Sequence, residues 1–192
     1  PFTLVGATTR SGLLSSPMRD RFGLHCRLEL YTEKEIKEIL KRSARILKVE
    51  MTEDAAGILS SRCRGTPRIA NRVLRRCRDV AQVRGNGIID KTAAEKTLEM
   101  LGIDADGLDP MDRKILSIMI DKFNGRPVGI NTLGAALNEE QNTLEEVYEP
   151  YLIQKGFLSR TPRGRMVTPA AYRKLERPFP KNQQYEQTEM EF

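Results

Sequence analysis

Gly65-Thr66-Pro67-Arg68 is where this chain places charge against expectation. Thr66 suits a helix N-cap, and Pro67 suits the first helical position, where a missing N–H costs nothing. A helix follows, with Ile69, Val73, Cys77 and Val80, and Ala70, Leu74 and Ala81, recurring along one apolar stripe. The amino end of a helix is already positive and favours Asp or Glu in its first turn, yet Arg68 stands there. Two readings fit. Either Arg68 and the helix-end N–H groups bind an anion together, or Arg68 pairs with a carboxylate elsewhere on a solvated basic helix. A second cluster, Arg160, Arg163 and Arg165, surrounds Thr161-Pro162-Arg163-Gly164, whose Pro and Gly positions suit a type I turn. That turn sets Arg160 opposite Arg165 across a hairpin, with Arg163 at the tip. Like charges so placed are destabilising, so the pattern points to an anionic partner, phosphate being the obvious one. The plainer alternative is a soluble hairpin whose arginines protect its edge from aggregation. Thr8 and Thr9 follow an apolar run at residues 2–6. Ligands of open α/β sheets sit beyond the carboxyl ends of strands, where either hydroxyl could meet a ligand or its attacking water. Without that context they read as an ordinary Thr-rich turn.

Composition narrows the chemistry. The 192 residues hold 32 Lys+Arg against 26 Asp+Glu, a formal charge of +6, with 39% hydrophobic residues and no tryptophan. That length accommodates two or three small cored units. His25 is the only histidine, which argues against a zinc site or Ser-His catalysis. Cys26, Cys63 and Cys77 have no metal-ligand spacing and read as free thiols of a reducing cytosol. No apolar run has the length of a membrane span and no signal peptide is evident, so a cytoplasmic location without membrane contact is expected. The chain opens on Pro1 directly into an apolar run, as a piece of something longer would.

The elements that must position these residues are mostly helical. Residues 2–6 and 26–31 read as two strands, with a short helix between them capped by Ser16, started by Pro17 and stopped by Gly23. Thr32-Glu33-Lys34-Glu35 is a capping box ahead of Ile36, Ile39, Leu40 and Leu47. Thr52 caps a second helix with Ala55, Ile58 and Leu59 inward; the helix from Pro67 is the third; Asp90 caps a fourth bearing Ala94, Leu98 and Leu101. Residues 102–107 are polar and Gly-containing and read as a linker. Asp109 and Pro110 then start a helix with Ile115, Leu116, Met119, Ile120 and Phe123 buried. Val128-Gly129-Ile130 is extended, a brief helix from Asn131 or Thr132 runs to Leu137, and another spans 142–154 with a kink expected at Pro150. The hairpin completes a winged-helix order. Its acidic helix, with Glu145, Glu146 and Glu149, would repel a duplex, so backbone gripping by the hairpin, indifferent to sequence, is the expectation.

Taken together, Gly6-Ala7-Thr8-Thr9-Arg10, Arg19-Asp20-Arg21-Phe22-Gly23, Gly65-Thr66-Pro67-Arg68 and Arg160-Thr161-Pro162-Arg163-Gly164-Arg165 resemble the bacterial Holliday junction branch migration motors, a family of AAA+ ATPases. The likeness runs in order from Phe2 to about Arg177. It implies a mostly α chain: residues 1–31 as the end of the α/β ATPase core, 32–102 as a small four-helix lid domain, and 103–178 as a winged-helix DNA-binding head. Residues 179–192 are expected to be a disordered tail. It implies an ATP-driven motor of recombination and repair, a homo-hexamer around duplex DNA at Holliday junctions, working with RuvA and the resolvase RuvC. By the same resemblance Thr9 is the sensor-1 threonine, Arg21 the arginine finger offered to a neighbouring subunit's nucleotide, Tyr31 the tyrosine near adenine, and Arg68 the sensor-2 arginine. Arg160 and Arg165 match DNA contacts. The Gly-rich phosphate loop and the acidic Mg²⁺-holding motif do not occur in these residues, nor does the hairpin through which the family meets RuvA. ATP or ADP with Mg²⁺ is the implied cofactor, its Mg²⁺ ligands lying outside this chain, and the chain alone is expected to be inactive. Two other classes remain open. One is a non-catalytic winged-helix DNA-binding module with a helical regulatory domain. The other is a clamp-loader or initiator relative sharing the sensors and finger.

Overall fold

The computed structural model describes residues 1–8 and 11–180. Thr9, expected as a sensor, and most of the expected disordered tail lie outside the described residues. The chain divides into two units, Pro1–Leu30 and Tyr31–Phe192. In the first, a 3₁₀ turn at Ser11–Leu13 precedes α1 (Ser16–Asp20). Ser15, not Ser16, is its N-cap residue, and it makes no side-chain cap bond. The two strands expected at residues 2–6 and 26–31 are absent: both stretches are irregular, with Phe2, Val5 and Leu28 almost fully exposed. A strand is stabilised by its neighbours' hydrogen bonds and by cover on its faces. Among the described residues of this unit no strand lies alongside to supply them.

The second unit holds two hydrophobic cores. The first is built by α2 (Glu33–Ile46), α3 (Glu53–Arg62), α4 (Pro67–Arg84) and α5 (Lys91–Met100). Caps start three of them as the sequence foretells: Thr32 with Glu35 closes a full capping box, and the side chains of Thr52 and Asp90 accept N–H bonds from Ala55 and Ala93. Ile36, Leu40, Leu59, Val73, Leu74 and Cys77 are sealed from solvent. Each such large aliphatic side chain contributes on the order of 1.5–3 kcal/mol. Burial pushes the Cys63 thiol up to about 12 and the Cys77 thiol to about 11, so both stay protonated and inert.

The second core is formed by α6 (Pro110–Asp121), α7 (Ile130–Leu137), α8 (Gln141–Thr143), a π-helical stretch Leu144–Tyr148, α9 (Glu149–Gln154), the hairpin strands β1 (Leu158–Thr161) and β2 (Gly164–Val167), and α10 (Pro169–Lys174). α7 starts at Ile130 on the Gly129 carbonyl, earlier than the Asn131 or Thr132 start expected. Val128 makes a single antiparallel bridge to Arg165, the remnant of a third strand. The kink expected at Pro150 appears instead as the π-helical widening just before it, where the Glu149 N–H reaches back five residues to Leu144. Pro150 has no N–H to continue an α-helical ladder, and one wider turn absorbs the mismatch. α10 is an addition to the elements expected from sequence; Thr168 at its N-cap and Pro169 behind it are its signal, on an element too short for a periodic stripe.

Residues 102–107, read as a linker, are bonded on both sides. Asp104 Oδ1 accepts the N–H groups of Asp106 and Leu108, each at 2.9 Å, and Lys174 Nζ lies 3.0 Å from Asp104 Oδ2. Gly107 has φ of +74°, and a Cβ there would stand 2.7 Å from the Tyr151 hydroxyl, so the close approach itself requires glycine.

Candidate functional site

Two arginine-bearing surfaces are built in the second unit. The first is the start of α4. After α3 the chain turns through Arg64 (φ 56°) and Gly65 (φ 62°), and the Thr66 N–H closes the turn on the Cys63 carbonyl at 3.0 Å. Thr66 occupies the N-cap position but does not cap. Its hydroxyl donates back to the Arg64 carbonyl at 3.2 Å, so it caps none of the first-turn N–H groups. No acidic residue lies in that turn, and Arg68 is exposed without an ion pair among the described residues. The carboxylate partner of the bland reading is therefore not found. The Tyr31 N–H donates to the Gly65 carbonyl at 2.9 Å, which ties Tyr31, its side chain half exposed, to the turn that launches α4. Residues 34 positions apart in sequence are thus brought together, as spacing alone could not foretell.

The second surface is the hairpin. Arg160 does pair with Arg165 across the strands, and Thr161 with Gly164. What relieves the like charges is internal. Glu149, on α9 and only 3% exposed, accepts from Arg160 Nε at 2.6 Å and from Arg165 Nε at 3.1 Å. Arg165 Nη2 also reaches Glu145 at 2.6 Å. Contrary to the expectation from sequence, the opposed arginines need no external anion, because the acidic helix supplies one. The same bonds alter the reading of that helix, since two of its three glutamates are spent on the hairpin. Arg165 is 16% exposed and committed, whereas Arg160 keeps 59% of its side chain in solvent. Arg163 at the tip is exposed and has no ion pair among the described residues. Gly164 (φ 133°) presses so close to Val128 that a Cβ would meet its carbonyl oxygen at 2.5 Å, which locks the hairpin onto the segment before α7. The sequence signal for this pairing is the i, i+4 spacing of Glu145 and Glu149 ahead of a basic hairpin, where the charge alone suggests only repulsion.

In the first unit Arg21 is the C-cap residue of α1, exposed and without an ion pair among the described residues. Pro17 near the start of α1 and the Phe22 N–H bond to the Arg19 carbonyl at 3.0 Å hold that turn. Among the described residues no cluster of His, Cys, Asp and Glu could hold a metal ion, and no helix is long and apolar enough to cross a membrane.

Comparison with known proteins places the chain in a family. The model of the Holliday junction DNA helicase RuvB P-loop domain matches residues 1–28, the RuvB AAA lid domain 31–104, and the RuvB C-terminal winged helix domain 105–176. The Holliday junction branch migration complex subunit RuvB of Koribacter versatilis is 58% identical over 183 residues, covering 95% of this chain and 51% of the relative. That of Myxococcus xanthus is 57% identical over 180 residues, covering 94% and 52%. The solved RuvB Holliday junction branch migration motor of Thermotoga maritima superimposes with a TM-score of 0.88 at 55% identity, over 94% of this chain and 60% of that one. The chain spans about half the length of the curated relatives it matches. With three domain models of one family matched in order, and identities far above those of a shared fold alone, the chain belongs to the RuvB family and carries its AAA lid and C-terminal winged-helix domains behind a part of its P-loop domain.

Proposed function

We propose that this chain is the nucleotide-sensing and DNA-gripping part of an ATP-driven motor that moves Holliday junctions in recombination and repair. The observation that carries the reading is the start of α4. It is a helix end without acid or N-cap side-chain bond, bearing an Arg68 that has no ion pair among the described residues, and tied to Tyr31, in a segment matching the RuvB lid. A polyphosphate fits such a place, because first-turn N–H groups and a guanidinium favour the same charge. Arg68 would hold a phosphate as the sensor-2 residue and Tyr31 would pack near the base. Thr9 would orient at the γ-phosphate as sensor 1, and Arg21 would reach the nucleotide of a neighbouring subunit. Bound nucleotide supplies the free energy of its β–γ anhydride, and Arg21 would favour the charge that develops as that bond breaks. The Mg²⁺ ligands belong to motifs this sequence does not contain, so the chain by itself should not turn over ATP.

In this reading residues 1–31 close the large ATPase domain, 32–102 form the lid and 103–178 the head. On the hairpin, Arg163 and the exposed Arg160 would meet duplex phosphates, with Arg165 holding the hairpin to Glu149 and Glu145. The partners are double-stranded DNA at four-way junctions, RuvA, RuvC and further copies of the same subunit in a hexamer, in the cytoplasm.

The test uses the full-length protein on a four-way junction with ATP. Junction movement and hydrolysis should both be present, and both should fall by on the order of tenfold or more in Arg68→Ala. A protein that binds junctions yet shows no nucleotide-dependent movement would sink the motor reading in favour of a binding module.

A further inference from the structure

Arg64 sits where the two cores of the second unit meet. Its Nε donates to the Gly107 carbonyl at 3.0 Å, and its Nη2 bonds to Asp112 and lies 3.1 Å from Asp109 Oδ2. Its Cζ stands 4.6 Å from the centre of the Tyr151 ring. The Tyr151 hydroxyl donates in turn to the Asp106 carbonyl at 2.6 Å. Asp109 and Asp112 are also the two halves of the capping box that starts α6. One guanidinium from the lid side thus grips the first helix of the winged-helix core, the connection leading to it and a ring on α9.

This is a costly way to join two domains if cohesion were all that was required. The Arg64 side chain is 9% exposed and that of Asp112 0%, and Asp112 Oδ1 has no hydrogen-bond partner among the described residues. A buried ion pair gains little over apolar packing of the same volume. What it adds is direction, because a planar fork bonds a carboxylate in few orientations. Arg64 also holds a left-handed backbone conformation that non-glycine residues seldom adopt. Its position is consequential at both ends. Gly65, the next residue, receives the Tyr31 N–H, and Arg68 follows in the first turn of α4. Tyr151 stands two residues beyond Glu149, the anchor of Arg160 and Arg165.

We propose that Arg64 is a positioning residue that fixes the winged-helix domain on the lid, so that a displacement at the Arg68 end of α4 reaches the hairpin instead of being absorbed at residues 102–107. The inference rests on the reading of Arg68 as nucleotide-facing and the hairpin as DNA-facing. Coupling between two sites requires an element that both bias, and a loose connection would let each move alone. The connection has its own ties in Lys174 to Asp104 and Asp106, and in Arg113 Nη1 to the Leu108 carbonyl at 2.8 Å. Arg64 is the tie that includes the α3–α4 turn.

Two measurements test this. In the present chain with Cys26→Ser, spin labels at Gln82→Cys and Lys122→Cys report the distance between the two cores. A narrow distribution is expected, broadening in Arg64→Ala and in Arg64→Lys, which keeps the charge but not the fork. Asp112→Asn, nearly isosteric, serves the same purpose should the Arg64 variants not fold. An unchanged distribution in a folded variant overturns the proposal. In the full-length protein, Arg64→Ala should hydrolyse ATP without DNA as the parent does, but move a junction about fivefold less, or worse, per ATP consumed. Parental movement per ATP in the variant overturns the positioning role while leaving the motor reading intact. A parent that hydrolyses ATP but moves no junction overturns the motor reading, and with it the role assigned to Arg64.

Discussion

Glu149 shows how one side chain changes the meaning of two others. Buried beneath the hairpin, it converts Arg160 and Arg165 from opposed charges into parts of one ion cluster. The arginines of the hairpin should therefore separate by experiment. Arg163→Ala should weaken duplex binding about equally for unrelated sequences and make the salt dependence shallower by roughly one unit, measured by titration at several salt concentrations. A loss confined to one sequence would mean that base edges are read. Arg165→Ala should instead destabilise folding, by on the order of 3 kcal/mol in urea denaturation, because it removes one of the two bases paired with a buried carboxylate. Arg21 belongs to another class. Exposed and without an ion pair among the described residues, it should be replaceable by Ala with little change in melting temperature. In full-length protein the same change should leave ATP binding while reducing turnover on the order of 10³-fold. Mixing with a phosphate-loop variant should restore part of the activity if the finger acts in trans. No recovery in assembled mixed rings would count against that role.

At the level of elements, short-range signals decided where helices begin. Asp90→Ala should cost about 1 kcal/mol by removing the acceptor for the Ala93 N–H, a loss measurable by thermal denaturation. Thr66→Ala should cost noticeably less, because the Thr66 hydroxyl turns back to Arg64 and leaves the α4 start open. Equal costs would mean that Thr66 caps in solution after all. The strands expected in the first unit, at residues 2–6 and 26–31, stand at the other extreme. Their β-branched and aromatic residues encode a preference, but strand structure is completed only by neighbours.

For the molecule as a whole, the joint between lid and winged helix sets a pH dependence of two signs. Burial pushes the Asp112 carboxyl up to about 6, against the favourable charge of Arg64 and despite the Asp109 N–H bond. A folded pKa above the unfolded one binds protons on folding, so this group adds stability as pH falls through about 6 and its contribution is complete below the ordinary Asp range. For Asp104, burial works to raise the carboxyl, but Lys174 and the Leu108 and Asp106 N–H groups outweigh it and hold the carboxyl below its ordinary value. That stability is present above the unfolded Asp pKa and disappears as pH falls through the lower folded one. From these two groups, denaturation midpoints should therefore rise from neutral pH to about pH 4, the ordinary Asp value, and then fall. Asp112→Asn, which mimics the protonated acid, should flatten the rise and leave the acid loss. A variant that keeps the parental rise would show that another group titrates there.

The sequence by itself determined the helical order, because caps, prolines and apolar stripes act within a few residues. Thr32, Thr52, Asp90 and Asp109 mark their helices without help from the rest of the fold. It also marked Arg68 and the three hairpin arginines as residues of interest, since misplaced charge is visible in a linear pattern. The structure alone decided what those charges meet. Glu149 lies 11 residues before Arg160, Tyr31 joins Gly65 across two helices, and Arg64 finds Asp112 across a separation of 48 residues. Such encounters arise when two cores close and exclude water, and desolvation then makes the partner of a buried charge obligatory. Residues 102–107 read as a linker for the same reason: their polarity is local, while the bonds it makes with Lys174, Tyr151 and Arg64 exist only after the domains have packed.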